Sequence, residues 1–179
     1  MYKAVFLDRD GVMNEVLSKR VKFVNKPEDF YLLDGVGEAI KKLNELNFKV
    51  FVVTNQGGVG LGYIDETTLD RIHHKMEEDL ALYGEKIDDI AYCPHKPKAG
   101  CKCRKPEPEM LFQLADKYDI DLSNSFMVGD RKQDIDAGMK AGTITVLVGT
   151  RHEKVNADYT FKNLFAFVKW LENEERAFT

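Results

Sequence analysis

Two aspartates follow the first apolar run of the sequence, and two more follow a later run. Asp8 and Asp10 stand directly after residues 4–7, whereas Asp130 comes after a later apolar run, with Asp134 one helical turn further on. Runs of this kind are typical of buried parallel strands, whose C-terminal ends meet at the edge of the sheet where ligands bind. Several carboxylates gathered there repel one another unless a cation joins them. The pattern therefore predicts a Mg²⁺ site.

A hydroxyl group and two cations are placed to join these carboxylates. Thr54 ends a further apolar run, and Arg104 and Lys105 end the loop after the next run. A metal, a lysine and a hydroxyl beside an aspartate suit a phosphoryl group, because catalysis of its transfer consists mainly of positioning and charge neutralisation. One aspartate can act as a nucleophile and split hydrolysis into transfer to the carboxylate and later attack by water. The sequence therefore favours a phosphate-ester hydrolase.

Five apolar runs and the segments between them must position these side chains. The runs predict strands at residues 4–7, 50–53, 90–92, 126–128 and 144–148. Helical spacing of apolar residues predicts helices over residues 36–46, 69–83 with Asp65 as the N-cap, 110–118 and 164–171. Strands that alternate with helices indicate a Rossmann-like α/β/α sandwich, with a central parallel sheet between two helical layers.

Three segments do not follow this alternation. Residues 13–34 mix polar and apolar side chains without a period, and we predict a small hairpin or flap there, so that any cap over the site is minimal. The glycine-rich residues 57–62 match neither common phosphate-loop signature, which leaves a mobile substrate loop or a plain turn. The charged residues after about Glu172 are predicted to fray.

Taken together, the motifs resemble the haloacid dehalogenase superfamily of phosphohydrolases. In chain order they are Asp8-x-Asp10-Gly11-Val12, Thr54-Asn55, Lys105-Pro106 and Gly129-Asp130-x-x-x-Asp134. The resemblance implies that Asp8 is the nucleophile and that Asp10 is first the general acid and then the general base. It also implies that Mg²⁺ is held by the carboxylates of Asp8 and Asp130 and by the backbone carbonyl of Asp10.

The same resemblance implies roles for further residues around the phosphate. Thr54 and Lys105 are expected to bind the transferring phosphoryl oxygens. Asn55, Gln56 and Arg131 are expected to contact the substrate, Arg131 as a second phosphate contact. Asp134 is expected to orient Lys105 or a metal-bound water, and a place on the surface or in the first turn of a helix is the alternative.

A second set of metal ligands lies in the loop after the third predicted strand. Cys93, His95, Cys101 and Cys103 form two pairs and include all three cysteines of the chain. Sulfur and imidazole nitrogen are the ligands that tetrahedral Zn²⁺ prefers, and four of them close the site to water and substrate. We therefore predict a structural Zn²⁺ that fixes this loop. Buried or reactive thiols without metal are the alternative.

The cysteine-rich loop and the first two motifs resemble the branch of that superfamily that contains histidinol phosphatases and heptose-bisphosphate phosphatases. The resemblance implies a small phosphorylated sugar or amino-alcohol substrate: D-glycero-D-manno-heptose 1,7-bisphosphate cleaved at its 7-phosphate, or L-histidinol phosphate. Residues 54–63 are more similar to the heptose enzymes, although Gly57 replaces their serine and Leu61 stands where many have arginine. A bisphosphate needs a cation for its distal phosphate, and Arg104 is the candidate.

The composition of the whole chain narrows the functional classes. Its 179 residues, 44% of them hydrophobic, predict a single domain over residues 1–179. A net charge of -4 without a basic stripe disfavours nucleic-acid partners, including a 3′-phosphatase of polynucleotide ends. The absence of a signal peptide and of a membrane-length apolar run predicts a soluble, cytoplasmic protein without a membrane partner, which we expect to be a monomer. A non-catalytic zinc-stabilised binding module is the alternative from another class.

Overall fold

A parallel sheet of six strands forms the centre of the computed structural model, which describes residues 1–149, 151 and 154–179. The spatial order of the strands is β3-β2-β1-β4-β5-β6. Their bounds are Ala4–Leu7 (β1), Lys49–Asn55 (β2), Asp89–Cys93 (β3), Phe126–Gly129 (β4), Ile144–Val148 (β5) and Tyr159–Phe161 (β6). The five predicted strands are confirmed. The edge strand β6 was not predicted, because it is short and partly exposed and therefore has no apolar run.

Helices cover both faces of this sheet. Their bounds are Val36–Glu45 (α1), Glu66–Ala81 (α2), Glu109–Tyr118 (α3), Lys132–Ala141 (α4) and Leu164–Ala177 (α5). Because successive residues of a strand face opposite sides, Val5 and Leu7 pack with α1, α2 and α5, whereas Phe6 packs on the other side with α3 and the end of α4. The predicted Rossmann-like sandwich of three layers is confirmed.

Two helices differ from the expectations. Sequence periodicity assigned no helix to α4, because its inward face carries small or polar residues, such as Ala137 and the buried Asp134, rather than a long apolar stripe. The prediction that the chain frays after Glu172 is wrong, since α5 continues to Ala177. Glu172 is buried, and its carboxylate contacts Lys42 at 3.0 Å and Arg176 at 2.6 Å, which ties the last turns to α1 and to each other.

Residues 13–34 form the predicted hairpin. Asn14 pairs antiparallel with Leu32, and the backbone N–H of Leu17 donates to the carbonyl of Lys22 at 2.9 Å near the tip. Val24 and Phe30 of the same segment are buried in the core. The hairpin is therefore packed onto the sheet and stands beside its C-terminal edge. None of the helices that the structure describes has the length and apolar character needed to cross a membrane.

The glycine-rich loop after β2 is a hydrogen-bonded turn. Its backbone N–H groups donate within the loop, as from Tyr63 to the carbonyl of Gly58 at 2.8 Å. Gly60 docks the loop on the cysteine-rich segment, because its N–H donates to the carbonyl of Pro94 at 2.8 Å. A Cβ at residue 60 would lie 2.7 Å from the backbone nitrogen of Lys96, so only glycine fits this approach.

Candidate active site

The predicted acids converge where the order of the strands reverses, between β1 and β4. Asp8 follows β1 and Asp130 follows β4, and the N–H of Asp8 donates to the carbonyl of Val128 at 3.0 Å. The carboxylate oxygens of Asp8, Asp130 and Asp134 lie within 4.8 Å of one another, and all three residues are buried. A switch point of this kind is where open α/β sheets bind their ligands.

Lys105 provides the positive charge at the centre of this cluster. Its Nζ donates to Asp8 Oδ1 at 2.9 Å, to Asp134 Oδ1 at 2.6 Å and to the carbonyl of Val53 at 2.8 Å. These contacts use all three donors of the ammonium group. Burial opposes the charge, but the carboxylates of Asp134 and Asp8 outweigh it and raise the pKa of Lys105. Asp134 contacts Lys105 and also lies in the first turn of α4, and its role in orienting Lys105 stays a prediction.

One lysine does not balance three buried carboxylates. Burial and the neighbouring Asp134 raise the pKa of Asp8 well above its usual range and that of Asp130 to about 6. Asp130 Oδ1 is buried and accepts no hydrogen bond from the residues that the structure describes. A set of hard oxygen donors with uncompensated charge and a free acceptor fits a divalent cation such as Mg²⁺.

A glycine lets the chain turn beside these carboxylates. Gly11 has a φ of +86°, in the left-handed region, and a Cβ there would overlap the carboxylate of Asp130. Any other residue would meet both backbone strain and this overlap. The glycine of the first motif is therefore required for Asp130 to approach the end of β1.

The side chain of Asp10 is held in place by residues that the sequence analysis did not single out. Its Oδ1 accepts from Arg9 Nη2 at 2.8 Å and Nε at 3.2 Å, and from Asn14 Nδ2 at 3.0 Å. Burial favours the neutral acid, but the charge of Arg9 and the hydrogen bonds from Arg9, Asn14 and Gln56 together outweigh it and lower the pKa of Asp10. Arg9 is only 1% exposed, although an arginine between two aspartates in sequence suggests a solvated surface charge.

Residues 54–56 link the two halves of the site. Gln56 Nε2 donates to Asp10 Oδ2 at 3.2 Å and to Thr54 Oγ1 at 2.8 Å. Asn55 Oδ1 accepts from the N–H of Lys105 at 2.9 Å, and its Nδ2 donates to the carbonyl of Lys105 at 3.0 Å. Asn55 therefore fixes the backbone of Lys105, a contact that the sequence did not predict. Its contact with substrate stays a prediction.

Arg131 and Arg151 border the carboxylate centre, and Arg104 precedes Lys105 in the chain. Arg104 is half-buried, and its Nη1 donates to the carbonyl of His95 at 3.2 Å. Arg131 is the N-cap of α4, and its N–H donates to Asp134 Oδ2 at 3.1 Å. Arg151 places Nε 3.5 Å from Asp130 Oδ2, and no motif of the sequence pointed to it. The substrate contacts of Arg104 and Arg131 stay predictions.

The cysteine-rich loop brings its four predicted ligands together. The ligand atoms of Cys93, His95, Cys101 and Cys103 lie within 4.8 Å of one another, and Cys93 is buried at the end of β3. His95 Nδ1 lies 3.2 Å from Cys103 Sγ. Although burial opposes it, hydrogen bonding from the N–H of Arg104 and from neighbouring groups lowers the pKa of Cys101 to about 7. Three sulfurs and one imidazole nitrogen suit a tetrahedral metal of the Zn²⁺ type.

A cavity of about 280 Å³ opens beside Asp10, between the hairpin and the glycine-rich loop. Gln56 and Asn55 lie at its polar end, whereas Phe23 and Tyr63 line the walls on either side. Both rings are exposed, at 57% and 72%. The position beside Asp10 suits the leaving group of an ester whose phosphoryl group is bound at Asp8.

A cluster of buried carboxylates around a buried lysine, with oxygen donors suited to a cation at the switch point, indicates the class of protein: a phosphate-ester hydrolase. The HAD-hydrolase-like family model matches residues 102–164. This stretch contains Lys105, Asp130 and Asp134.

Relatives of established name match most of the chain. The D-glycero-alpha-D-manno-heptose-1,7-bisphosphate 7-phosphatase of Campylobacter jejuni is 38% identical over 97% of this chain and 98% of its own. The D-glycero-beta-D-manno-heptose-1,7-bisphosphate 7-phosphatase of Bordetella bronchiseptica is 41% identical over 83% and 81%. The crystal structure of D,D-heptose 1,7-bisphosphate phosphatase from B. bronchiseptica, complexed with magnesium and phosphate, has a TM-score of 0.88 at 37% identity, over 96% of this chain and 99% of that one.

The chain belongs to the haloacid dehalogenase superfamily of phosphatases, in the branch that contains these heptose-bisphosphate phosphatases. The resemblance of its motifs, the fold and the enzyme class predicted from the sequence are thereby confirmed.

Proposed function

We propose that the protein removes the 7-phosphate of D-glycero-D-manno-heptose 1,7-bisphosphate, with Asp8 as the nucleophile. The observation that carries the chemistry is the hydrogen bond from the buried Lys105 Nζ to Asp8 Oδ1, at 2.9 Å, beside two further carboxylates. The names of the relatives support the substrate. L-histidinol phosphate is the second candidate, because the same groups would transfer its phosphate.

In the first half-reaction, a carboxylate oxygen of Asp8 attacks phosphorus and the bond from phosphorus to the sugar oxygen breaks. Asp10 gives its proton to the leaving oxygen. The pKa of Asp10 is low before substrate binds, and the negative charge of an incoming phosphate raises it, so that proton uptake accompanies binding. Lys105 exchanges its hydrogen bond to Asp8 for one to a transferring oxygen, and the hydroxyl of Thr54 donates to another.

In the second half-reaction, water attacks the phosphorus of the aspartyl phosphate. Asp10, now ionised, removes a proton from this water, the bond between Asp8 and phosphorus breaks, and inorganic phosphate leaves. The guanidinium of Arg9 favours the ionised form of Asp10 that this step requires. One carboxyl group therefore serves both half-reactions.

We assign the metals by the chemistry of the two donor sets. Mg²⁺ suits the carboxylates of Asp8 and Asp130 with the backbone carbonyl of Asp10, and when bound it supplies positive charge that offsets the carboxylates and the phosphoryl oxygens. A structural Zn²⁺ suits the four ligands of the cysteine-rich loop, which leads directly to Lys105.

The cavity and the loops around it bind the rest of the substrate. The sugar lies in the cavity beside Asp10, with Gln56 as its polar neighbour. The guanidinium of Arg104 is the cation for the distal phosphate, with Arg131 as a further contact. The continuous six-stranded sheet supports a single domain over residues 1–179.

The test compares phosphate release by the wild type and by Asp8→Asn. Both candidate esters are supplied with Mg²⁺, and we expect faster turnover of the heptose bisphosphate. Asp8→Asn should lower kcat at least about a thousandfold, because the amide is not a nucleophile. Asp116→Asn, an exposed change of the same kind on α3, should keep full activity. Turnover by Asp8→Asn near the wild-type rate would refute the mechanism, and preference for histidinol phosphate would refute the substrate.

A further inference from the structure

We propose that His73 of α2 is a positioning residue for the proton transfer to the leaving-group oxygen, and that it acts through Arg9 on Asp10. The inference rests on the proposed function, in which Asp10 is the general acid. It concerns a buried imidazole outside both metal-ligand clusters and outside the four motifs.

His73 points into the protein, unlike the histidine beside it. The residue is only 6% exposed, and its ring lies against the ring of Tyr92 with centroids 5.9 Å apart. The side chain of His74 is 71% exposed and pairs with Glu78 on the same helix at 3.0 Å. The two neighbours therefore form a natural comparison, with one imidazole packed toward the site and the other at the surface.

The contact between His73 and Arg9 has one chemically allowed direction. His73 Nε2 lies 3.2 Å from Arg9 Nη1. A guanidinium has only donors, so Nε2 accepts and the imidazole carries its proton on Nδ1. Burial and the adjacent charge of Arg9 lower the pKa of His73 to about 3, which agrees with a neutral ring. His73 therefore accepts a hydrogen bond from Arg9 without adding charge.

Arg9 is fixed at two edges of its guanidinium plane. Nε and Nη2 both reach Asp10 Oδ1, at 3.2 Å and 2.8 Å. The Nη1 edge is held by His73, which is its side-chain hydrogen-bond partner among the residues that the structure describes. Without that acceptor, a buried guanidinium would keep one edge unpaired and would turn to find another partner.

The orientation of Arg9 determines which oxygen of Asp10 serves the reaction. Because Arg9 and Asn14 occupy Oδ1, the other oxygen, Oδ2, is directed toward Gln56, which also contacts Thr54. Oδ2 is therefore the oxygen on the side of the phosphoryl group and the cavity. A rotation of Arg9 would carry the carboxyl group with it and misplace the proton.

The test uses the dependence of the reaction on the leaving group. A sugar alkoxide needs a proton to depart, whereas p-nitrophenolate and the acetate of acetyl phosphate do not. His73→Leu removes the acceptor and puts an apolar side chain of similar size in its place. We expect kcat/KM, which covers the steps up to departure of the alcohol, to fall about 10–100-fold with the heptose bisphosphate. The activated substrate is the one of the two that the wild type turns over faster. We expect kcat/KM of His73→Leu to change less than about threefold with it.

Matched variants separate positioning from damage to the fold. His73→Gln offers an acceptor oxygen and should recover most of the activity on the sugar ester, whereas His73→Asn is too short to reach Arg9 and should resemble His73→Leu. The Asn variant also replaces the Leu variant if that variant fails to fold. His74→Leu should leave both substrates unaffected.

Two outcomes would overturn the proposal: equal losses on the sugar ester and the activated substrate, or full activity of His73→Leu and His73→Asn on the sugar ester. The proposed function is judged separately. If it fails, Asp8→Asn keeps its activity. If only this inference fails, Asp8→Asn is inactive on both kinds of substrate, and the loss of kcat/KM in the His73 variants is the same for both leaving groups.

Discussion

The cysteine–histidine cluster takes its ligands from residues 93–103, and Lys105 of the carboxylate centre follows two residues later, yet the charges of the two sites are balanced in different ways. At the carboxylate centre, Lys105 contacts Asp8 and Asp134, whereas Asp130 keeps an acceptor oxygen without a hydrogen-bond donor among the described residues. The cysteine–histidine cluster has four soft ligands for a tetrahedral ion. The first arrangement needs more positive charge, and the second is complete once one ion is bound.

This difference is the one expected between a centre that binds substrate and a metal site that supports the structure. A site with spare acceptor oxygens can take a cation and a phosphoryl group together, and its affinity for both depends on the protonation of the carboxyls. A closed site with four protein ligands has no position for substrate and acts by fixing the backbone. Three changes test the contrast, and their expected effects decrease from the first to the last.

The largest effect is expected for Lys105→Met, which removes the internal cation of the carboxylate centre. We expect kcat to fall about a thousandfold, because a buried donor to the phosphoryl oxygens is lost. The free energy of unfolding should fall by about 3 kcal/mol, since buried carboxylates lose their partner. Phosphate release and urea unfolding measure the two quantities. The exposed Lys102→Met in the same loop is the control, and equal behaviour of the two variants would contradict the role of Lys105.

An intermediate effect is expected for Cys101→Ser, which removes one soft ligand from the supporting cluster. We expect loss of bound zinc and a fall in kcat of about 10–100-fold, because the loop before Lys105 is no longer held. Metal analysis and phosphate release measure the change, with Ala99→Ser in the same loop as the control. A variant that lost its zinc and kept the wild-type kcat would show that the cluster does not support catalysis.

The smallest effect is the stabilisation by Mg²⁺, which should depend on pH. The pKa of Asp130 is raised to about 6, so below that pH a proton competes with the metal for its carboxylate. A raised carboxyl pKa also makes the metal-free fold lose stability as pH rises from about 4 to 6, and bound Mg²⁺ reverses this loss. Saturating Mg²⁺ should raise Tm by about 5 °C at pH 7.5 and much less at pH 5.

Asp130→Asn is the control for this measurement. Its Tm should respond little to Mg²⁺ at either pH, because an amide is a weaker ligand without a charge. An equal Tm shift at pH 5 and pH 7.5 in the wild type would contradict the assignment of Asp130 as a titrating metal ligand.

The sequence was sufficient for five of the six strands and for the residues that follow them. Buried parallel strands are apolar runs, and their common edge lets Asp8 and Asp130 be placed together without coordinates. Edge strand β6 and helix α4 were missed because short exposed strands and helices with small inward residues have weak periodicity. The end of α5 was misjudged because Glu172 is buried by partners from other turns and another helix.

Sequence patterns could not predict the contacts that support the motif residues. Asn55 binds the backbone of Lys105, 50 residues away, and Arg9 meets His73, 64 residues away. Neither pair is implied by spacing, since each depends on how a helix or loop packs on the sheet. The chemistry of the site is therefore encoded locally, whereas its precision depends on the assembled fold.

The hydrogen bond from Gly60 to Pro94 joins the glycine-rich loop to the cysteine-rich segment, and it couples their positions. The backbone hydrogen bond from Gly60, where no side chain fits, ties the loop that lines the cavity beside Asp10 to the segment that carries the cysteines. A shift of the cysteine-rich segment is therefore transmitted to the loop that lines the cavity beside Asp10.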